Sequence, residues 1–471
     1  MIRTHEGAMQ YEHSMDHTVE FFSKAGSLFE KREEFYEGGE TALSLFKKSW
    51  IVDSELTFKL LLWLRDCRGG AGNRSGFRTC LKWLATYSPE WVRLNISWLP
   101  LVGRWDDLRT LFGTPVELDA ARLWADAIIG NEVLAAKWAD RSDRPLRLVM
   151  GLKTEKEFRQ RLASIRMNHV VEHKMCTDKW GEITYEHVPS VAMARYTKAF
   201  GKHDEVGFNA YKEALKTGSK KVHAGVLFPH DCVRTVFGGD EDIANAQFDA
   251  LPNYMAEDAR AIVIADTTSS MSTKISGSVK SVHVSIGMAL YCSSKLAKDN
   301  PFYKKFMSFS EEGHFKDWNG MSFSGAVCNR EIFDGAVGST YVACALDLIL
   351  KTAKWFKLPD SMMPNMLLIV SDMQFHQANA EDWSKENNVD RLAEVELSLE
   401  GWKAAGYSIP KVVYWNTAGY AGSPGEVGDT NIALVSGFSP SVLKAIFEGE
   451  DFSPRAVMLR ALDKYDIDVP K

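Results

Sequence analysis

The sequence has no apolar run of about 18 residues, the length that a helix needs to cross a lipid bilayer. We therefore expect no transmembrane helix and no membrane partner. The first residues are polar and include acidic side chains, which is typical of neither a secretion signal nor an organelle-targeting peptide. Together these absences predict a cytoplasmic protein.

Cysteine is scarce, with seven residues in 471 and no CxxC spacing. An odd number of scattered cysteines predicts reduced thiols, mostly buried as small hydrophobic side chains, rather than a disulfide framework. The lack of a close Cys/His cluster makes a zinc site an unfavoured interpretation. The chain also lacks HExxH, GxSxG, GxGxxG and P-loop motifs, which are typical of common enzyme classes.

Charge is nearly balanced, with 56 basic and 62 acidic residues and a net charge of −6. This balance excludes a protein that is strongly basic throughout. The segment 51–230 is different, because it carries 28 Lys and Arg against 21 Asp and Glu. Such a segment fits a local phosphate-binding face, and it also fits ordinary variation in surface charge.

The first half of the chain has the periodicity of helices. Apolar residues recur at i, i+3 and i+4 spacing in five segments, and strand-like alternation is scarce before residue 255. These segments are 54–64, 77–86, 119–129, 155–165 and 190–200. Many short amphipathic helices predict an array of stacked helical pairs rather than one bundle.

The pattern changes near residue 258. Short apolar runs rich in β-branched residues occupy 261–265, 302–310, 366–371 and 411–416. Helical stretches at 279–297, 342–356 and 391–406 lie between them. Buried strands that alternate with helices predict a doubly wound α/β domain whose parallel sheet is covered on both faces. We therefore divide the chain into an N-terminal arm (1–40), an α-helical repeat domain (41–255) and an α/β domain (256–471).

Oxygen-bearing side chains follow the predicted strands at one edge of this sheet. They are Asp266, Thr268 and Ser270 after the first strand, Thr340 before the helix at 342–356, and Asp372 after the strand 366–371. Hard oxygen ligands of this kind suit Mg²⁺ or Mn²⁺, and alternate side chains of an extended loop can reach the same ion. Each residue taken alone also fits a helix cap or a turn.

A hydrolase with Asp266 as its nucleophile is a weaker interpretation. Haloacid-dehalogenase-like enzymes need a D-x-D motif after the strand, whereas the second position here is Thr268. We therefore predict a non-catalytic binding protein.

The strand-end set resembles the metal-ion-dependent adhesion site (MIDAS) of von Willebrand factor A domains, whose pattern is D-x-S-x-S, then a Thr, then an Asp. The matching positions are Asp266, Thr268, Ser270, Thr340 and Asp372. Thr268 keeps the hydroxyl of the first Ser, but Tyr341 stands where family members often carry an Asp. The resemblance implies a von Willebrand A, Rossmann-like fold with a bound Mg²⁺ or Mn²⁺.

A helical region that leads into such a domain resembles the Ro (TROVE) RNA-binding proteins. More closely, the chain resembles the uncharacterised Ro-related proteins of viruses, phages, bacteria and plants. The matching stretches are 65–74, 103–108, 188–196, 200–204, 223–225, 227–230 and 371–375. In Ro proteins a ring of HEAT-like helical repeats is closed by the von Willebrand A domain. The resemblance implies a ribonucleoprotein, located in the host cytoplasm if a virus or phage encodes it.

The glycine-rich stretch 65–78 is the first candidate RNA contact. Arg65, Arg68, Arg74 and Arg78 surround a turn ahead of a predicted helix. Guanidinium groups, backbone N–H groups and a helix N-terminus together favour phosphate binding. The alternative is a structural turn whose arginines pair with nearby acids. The neighbouring GRWDDL stretch, 103–108, predicts a buried Trp105 with an internal salt bridge.

Two further basic groups are candidate RNA contacts. Arg195, Lys198 and Lys202 share one helix face, which suits phosphate contact and base stacking on a nearby tyrosine, or a plain solvated surface. Lys220 and Lys221 lie in a predicted loop, as phosphate contacts or as part of a mobile segment.

Two functions remain open at this point. The first is a Ro-like protein, favoured as a monomer, that binds single-stranded, misfolded or small structured RNA through the helical region. The second is a scaffold without RNA, whose metal ion captures a carboxylate of a protein partner.

Overall fold

The computed structural model describes residues 2–3, 9–10, 15–28, 40–167, 169–272, 274–276, 279–309, 313–333, 342–373, 394–418, 430–448 and 451–470. Among the helices of these residues, none combines the length and apolar character required to span a bilayer. All seven cysteines are free thiols, three of them buried and two exposed, so burial is less general than expected.

The half before residue 250 is helical, as the periodicity predicts. Two short strands, β1 (Ile2–Arg3) and β2 (Met9–Gln10), pair at its start. The described helices are α1 (His17–Ala25), α2 (Ala42–Val52), α3 (Ser54–Arg65), α4 (Arg74–Tyr87), α5 (Pro89–Asn95), α6 (Trp98–Val102), α7 (Glu117–Ile129), α8 (Val133–Trp138), α9 (Arg144–Val149), α10 (Glu155–Arg166), α11 (Val171–Cys176), α12 (Ser190–His203), α13 (Glu205–Lys216), α14 (Pro229–Phe237) and α15 (Glu241–Asp249). All five predicted helical segments are confirmed, with ends shifted by at most three residues.

Side-chain caps explain several of these boundaries. Asp53 accepts a hydrogen bond from the backbone N–H of Leu56 and so separates α2 from α3. Asn73 accepts one from Gly76 at the start of α4. Thr154 exchanges bonds with Glu157 in a capping box at the start of α10.

The second half contains a sheet that is mostly parallel. Its strands are β3 (Ala261–Asp266), β4 (Lys274–Ser276), β5 (Val279–Lys280), β6 (Lys305–Phe309), β7 (Gly313–Asp317), β8 (Met366–Ser371), β9 (Lys411–Asn416) and β10 (Ile432–Ser436). β4 and β5 form a separate ladder, and the other six are ordered β10-β9-β8-β3-β6-β7. Every residue of β3 and β8 is buried, which requires cover on both faces.

One strand departs from the predicted parallel arrangement. β7 pairs with β6 in the antiparallel direction and forms the edge of the sheet. Only residues 310–312 connect the two strands, whereas a parallel crossover needs about a dozen residues or more. The strand periodicity did not reveal β7, because its described residues are mostly exposed or half-buried.

Helices connect and cover these strands. They are α16 (Ser281–Lys295), α17 (Phe323–Cys328), α18 (Val342–Phe356), α19 (Glu394–Ala404), α20 (Val442–Phe447) and α21 (Pro454–Leu462). β6 follows β3 along the chain in this sheet and lies on one side of it, whereas β8 lies on the other side. The gap between the carboxyl ends of β3 and β8 is therefore the point at which the strand order reverses, where ligands of such sheets bind.

The start of the helical half packs against the end of the chain. α1, which belongs to the segment predicted as an N-terminal arm, packs against β10 and α2. α3 packs against α21. Ser27 Oγ donates to the Asn416 carbonyl at 2.6 Å and accepts from the Gly437 N–H at 3.0 Å. Asn73 Nδ2 donates to the carbonyls of Ala25 and Leu28. These bonds join α1 to both halves of the protein.

Asp66 forms a charged contact at the same junction. Its Oδ2 accepts hydrogen bonds from Lys464 Nζ at 2.7 Å and from the Tyr465 hydroxyl at 2.8 Å. Its Oδ1 accepts from the backbone N–H groups of Arg68 and Gly69. Burial alone would raise the pKa of Asp66, but Lys464 and these hydrogen bonds hold it below the usual value.

The end of the helical half packs against the start of the sheet. α14 lies against α16, and α15 lies against α17. A Cβ atom at Gly287 would come within 2.8 Å of the His230 backbone, so glycine is needed at this helix crossing. The His230 ring is buried between Phe228 and Phe438, and no hydrogen-bond partner for Nδ1 exists among the described residues.

The Asp66 contact should stabilise the junction. We expect Asp66→Ala to lower the free energy of unfolding by about 3 kcal/mol, because Lys464 and Tyr465 lose a partly buried charged acceptor. Urea denaturation followed by tryptophan fluorescence measures this loss. Asp463→Ala, at a neighbouring exposed carboxylate, is the matched control; an equal shift of the urea midpoint in both variants would contradict the assignment.

Two histidines at the α14–α16 junction should make the protein sensitive to acid. Burial, opposed by Asp231 and assisted by Arg234, lowers the pKa of His230. Burial, together with the charges of His230, Lys280 and Arg234, lowers the pKa of His283 to about 4. Both side chains are neutral in the fold but take up protons near pH 6.5 when unfolded. Stability should fall between about pH 6.5 and pH 4, by at most about 1.4 kcal/mol per pH unit for each histidine.

Chemical denaturation at half-unit pH steps measures this slope. We expect His283→Gln to flatten it, whereas His314→Gln, at an exposed position on β7, should leave it unchanged. A slope in His283→Gln equal to that of the wild type would show that other groups cause the acid sensitivity.

Candidate metal site and basic surfaces

The loop after β3 brings carboxylate and hydroxyl oxygens together. Asp266 is fully buried, and its Oδ1 accepts from the Thr268 N–H at 3.0 Å and from Thr268 Oγ1 at 2.7 Å. The Thr268 and Ser270 hydroxyl oxygens are 3.1 Å apart. Ser270 lies in a short 3₁₀ turn, Ser269–Ser272. Three predicted site residues are therefore adjacent in space.

The end of β8 supplies the other side of this site. β3 and β8 are parallel neighbours, with Ala265 opposite Val370, so Asp266 and Ser371 end the two strands side by side. Ser371 Oγ donates to Asp266 Oδ2 at 2.6 Å. Asp372 is fully buried and immediately precedes Met373, whose positive φ of 64° turns the chain sharply.

The donor set matches the ligand preference of a small divalent cation. It combines two carboxylates with hydroxyl groups and contains neither sulfur nor imidazole, which excludes a typical zinc or copper ligand set. Among the described residues, no three of His, Cys, Asp or Glu converge, so a metal ion here would depend on the hydroxyl oxygens. Thr340, the fifth predicted ligand, lies outside the described residues.

The glycine-rich stretch forms a turn in which several backbone N–H groups bond within the protein. The Arg68 and Gly69 N–H groups bond to Asp66 Oδ1, and the Ala71 N–H bonds to the Trp63 carbonyl. A Cβ atom at Gly70 would collide with the Trp63 carbonyl. These backbone N–H groups therefore bond within the protein, as expected for the structural turn that the sequence left open as the alternative.

The four arginines of this stretch differ in their surroundings. Arg65 is 3% exposed and donates through Nε to Asp107 at 2.7 Å, so burial leaves it little surface for RNA. Arg78 is half-buried and donates through Nε to Asp107. Arg68 is exposed, with one long bond to a backbone carbonyl. Arg74 is exposed at the first position of α4.

The expected internal salt bridge beside Trp105 is confirmed. Arg104 donates through Nε and Nη2 to the two carboxylate oxygens of Asp106 at 2.8 and 2.7 Å. Its guanidinium group also stacks on the Trp138 ring, 3.9 Å from the centroid. Trp105 is 9% exposed and donates through its indole N–H to Glu132.

A basic groove with a volume of about 650 Å³ lies between α12, α13 and α14. Arg195 and Lys198 line it and are exposed, and within the described residues neither side chain has a hydrogen-bond or ion-pair partner. Lys212 and Arg234 also line it, near Asp240 and Asp231 respectively. The sequence analysis did not single out these last two residues, because they lie on two helices that approach α12 only in the folded protein.

The remaining predicted contacts lie outside the groove lining. Lys202 is exposed near the end of α12, and Lys221 is exposed after α13. Lys220 forms an ion pair with Glu186 at 3.2 Å, which neutralises part of its charge.

Models of two families match the chain, and both describe domains of unknown function. DUF2828 matches residues 4–114 and 152–266, and DUF7788 matches residues 260–466. Each model covers less than half of the chain. The two matches meet at residues 260–266, where the first long strand of the sheet lies.

Two individual proteins are similar to this chain. Uncharacterized protein L728 of Acanthamoeba polyphaga mimivirus is 25% identical over 488 residues, covering 90% of this chain and 82% of the mimivirus protein. The crystal structure of the Deinococcus radiodurans RO (RSR) protein aligns with 96% of this chain and 100% of its own, with a TM-score of 0.49 and 11% identity.

Proposed function

We propose that this protein binds RNA through its helical half, in the manner of Ro proteins, and that its α/β half is a von Willebrand A domain holding Mg²⁺ or Mn²⁺. The observation that carries the RNA proposal is the basic groove between α12, α13 and α14. Its volume is sufficient for an extended strand segment, and Arg195 and Lys198 offer charge that no described side chain neutralises.

Contacts at both ends of the helical half support the proposal of a closed ring. α1 and α3 pack against β10 and α21, while α14 and α15 pack against α16 and α17. Gly72, before α4, has a positive φ of 72°, and a Cβ atom there would lie 3.0 Å from the Phe228 ring, before α14. The two ends of the helical half thus meet each other as well as the sheet.

The strand-end oxygens support the metal proposal. Asp266, Thr268, Ser270 and Asp372, with Thr340, would hold the ion. The Thr268 and Ser270 hydroxyl oxygens lie 3.1 Å apart, so both could contribute to the same cation. The ion would supply charge that compensates two buried carboxylates and an open position for an acidic group.

A second function, capture of a protein carboxylate by this metal ion, has its own support. The site lies at the switch point of the sheet, where ligands of α/β folds bind. Asp266→Asn distinguishes the two functions, because it should abolish metal-dependent binding of a protein partner and leave RNA binding unchanged.

Neutralising the groove should weaken RNA binding. We expect the double variant Arg195→Gln/Lys198→Gln to bind single-stranded RNA at least about tenfold more weakly at low salt. The slope of log K against log salt should fall by about 1.4, the loss of two phosphate contacts. Fluorescence anisotropy of a labelled RNA across a KCl series measures both quantities.

The matched control removes the same charge elsewhere. Lys156→Gln/Arg159→Gln alters two exposed residues of α10 that have no side-chain partner among the described residues. Equal weakening in both double variants would assign the effect to net charge rather than to the groove. No RNA binding by the wild type at low salt would overturn the proposal.

Metal binding should raise stability. With free Mg²⁺ or Mn²⁺ at about 100 times its Kd, we expect the wild type to gain about 2.7 kcal/mol. Asp266→Asn should remove this gain, because an amide cannot supply the anionic ligand. Asp360 precedes β8 and so lies near the amino ends of the strands, away from the proposed metal site at their carboxyl ends. Asp360→Asn should therefore keep the gain in stability. Thermal unfolding with EDTA or with added metal measures this gain. If neither Mg²⁺ nor Mn²⁺ changes the unfolding temperature of the wild type, the proposed metal site is wrong.

A further inference from the structure

An ion-pair network joins three arginines and two aspartates beside the start of α4. Asp107 accepts from Arg65 Nε and Arg78 Nε, each at 2.7 Å. Asp106 accepts two bonds from Arg104 and lies 3.0 Å from Arg78 Nη2. Asp107 is fully buried, so these guanidinium groups are held in fixed positions. The network carries three positive charges against two negative charges.

A fourth arginine adds to this excess. Arg74 lies four residues before Arg78 on α4, so the two side chains share one face of the helix. Among the described residues the Arg74 side chain has no hydrogen-bond or ion-pair partner. Partial burial, and then the guanidinium groups of Arg104 and Arg78, lower the pKa of Arg74, whereas Asp106 acts in the opposite direction. Arg74 therefore experiences net repulsion, and the cluster has an excess of two positive charges.

The ion pairs of the network determine which N–H donors of its guanidinium groups remain available to a ligand. Arg104 uses Nε and Nη2 on Asp106, which leaves its Nη1 for a ligand, and the Trp138 ring fixes the plane of the guanidinium group. The Arg74 and Ser75 backbone N–H groups open α4, and neither bonds to a described residue. Preorganised guanidinium groups of this kind bind phosphate oxygens in pairs.

We propose that Arg74, Arg78 and Arg104 form a binding site for a phosphomonoester, the terminal phosphate of an RNA strand. A phosphomonoester carries a charge of about −1.5 to −2 at neutral pH, which matches the excess charge of the cluster. An internal phosphodiester carries a single negative charge and would leave part of the excess uncompensated. This inference rests on the proposed RNA binding and adds recognition of a strand end to it.

Three RNAs of one sequence test the inference. They end in a 5′-phosphate, a 3′-phosphate, or hydroxyl groups at both ends. We expect at least about tenfold tighter binding of one of the phosphorylated RNAs than of the hydroxyl-ended RNA, and the preferred end identifies the strand polarity. Arg74→Gln should abolish the preference, whereas Arg159→Gln, at an exposed arginine of α10, should retain it. Equal affinity of the wild type for all three RNAs would overturn the site.

Inorganic phosphate provides a test that does not require RNA. Phosphate also stabilises proteins non-specifically, so the wild type is compared with Arg74→Gln at equal phosphate concentration. We expect a saturable rise in the melting temperature of the wild type only. If this rise occurs but no RNA binds, the site stands and the proposed function fails. If RNA binds without end preference and phosphate stabilises both proteins equally, the proposed function stands and the site fails.

Discussion

The packing of α1 between the sheet and the helical half is the constraint on which the rest of the structure depends. β10 is an edge strand, and an uncovered edge is open to pairing with other chains. Ser436 Oγ donates to the Phe22 carbonyl at 2.7 Å, and α1 also packs against α2 and α3. The same helix thus covers the sheet edge and fixes where the helical half begins. The positions of α14 and of the groove beside it follow from closing the other end against α16.

The sequence predicted the elements well because their burial is nearly complete. β8 and β9 have the predicted limits, 366–371 and 411–416, since continuous apolar runs form strands covered on both faces. α18 also has its predicted limits, 342–356. β7 was not predicted, because an exposed edge strand lacks this hydrophobic pattern. β10 was not predicted either, although four of its five residues are buried. The alternation of strands and helices predicted that Asp266 and Asp372 lie at the same edge of the sheet. The strand order that places Asp266 beside Ser371 was not predicted, because this alternation is compatible with more than one order.

Side-chain partners could not be predicted in the same way. Arg65 and Arg74 are nine residues apart in one basic stretch, yet one is buried against Asp107 and the other is exposed. The difference arises from Asp107, which lies on a separate segment and approaches only after folding. Likewise, Arg195 and Lys198 line a groove only because α14 packs near α12 in the folded protein. Sequence periodicity gives the face of a helix, but it does not give the charge of the surface opposite.

The position of α1 also affects the order in which the protein can fold during synthesis. α1 is the first described helix to leave the ribosome, whereas its partner strand β10 comes more than 400 residues later. Long-range contacts of this kind form slowly and leave apolar surface exposed in the meantime. Phe21 and Phe22 can pack early, because their ring partners Phe46 and Trp63 lie in α2 and α3. The Phe22 carbonyl and the Gly26 N–H, in contrast, bond to Ser436 and gain this partner only after β10 has been synthesised. In the nascent chain α1 thus depends on α2 and α3 to hold it in place, and its contact with β10 forms only after the strands of the sheet have been made.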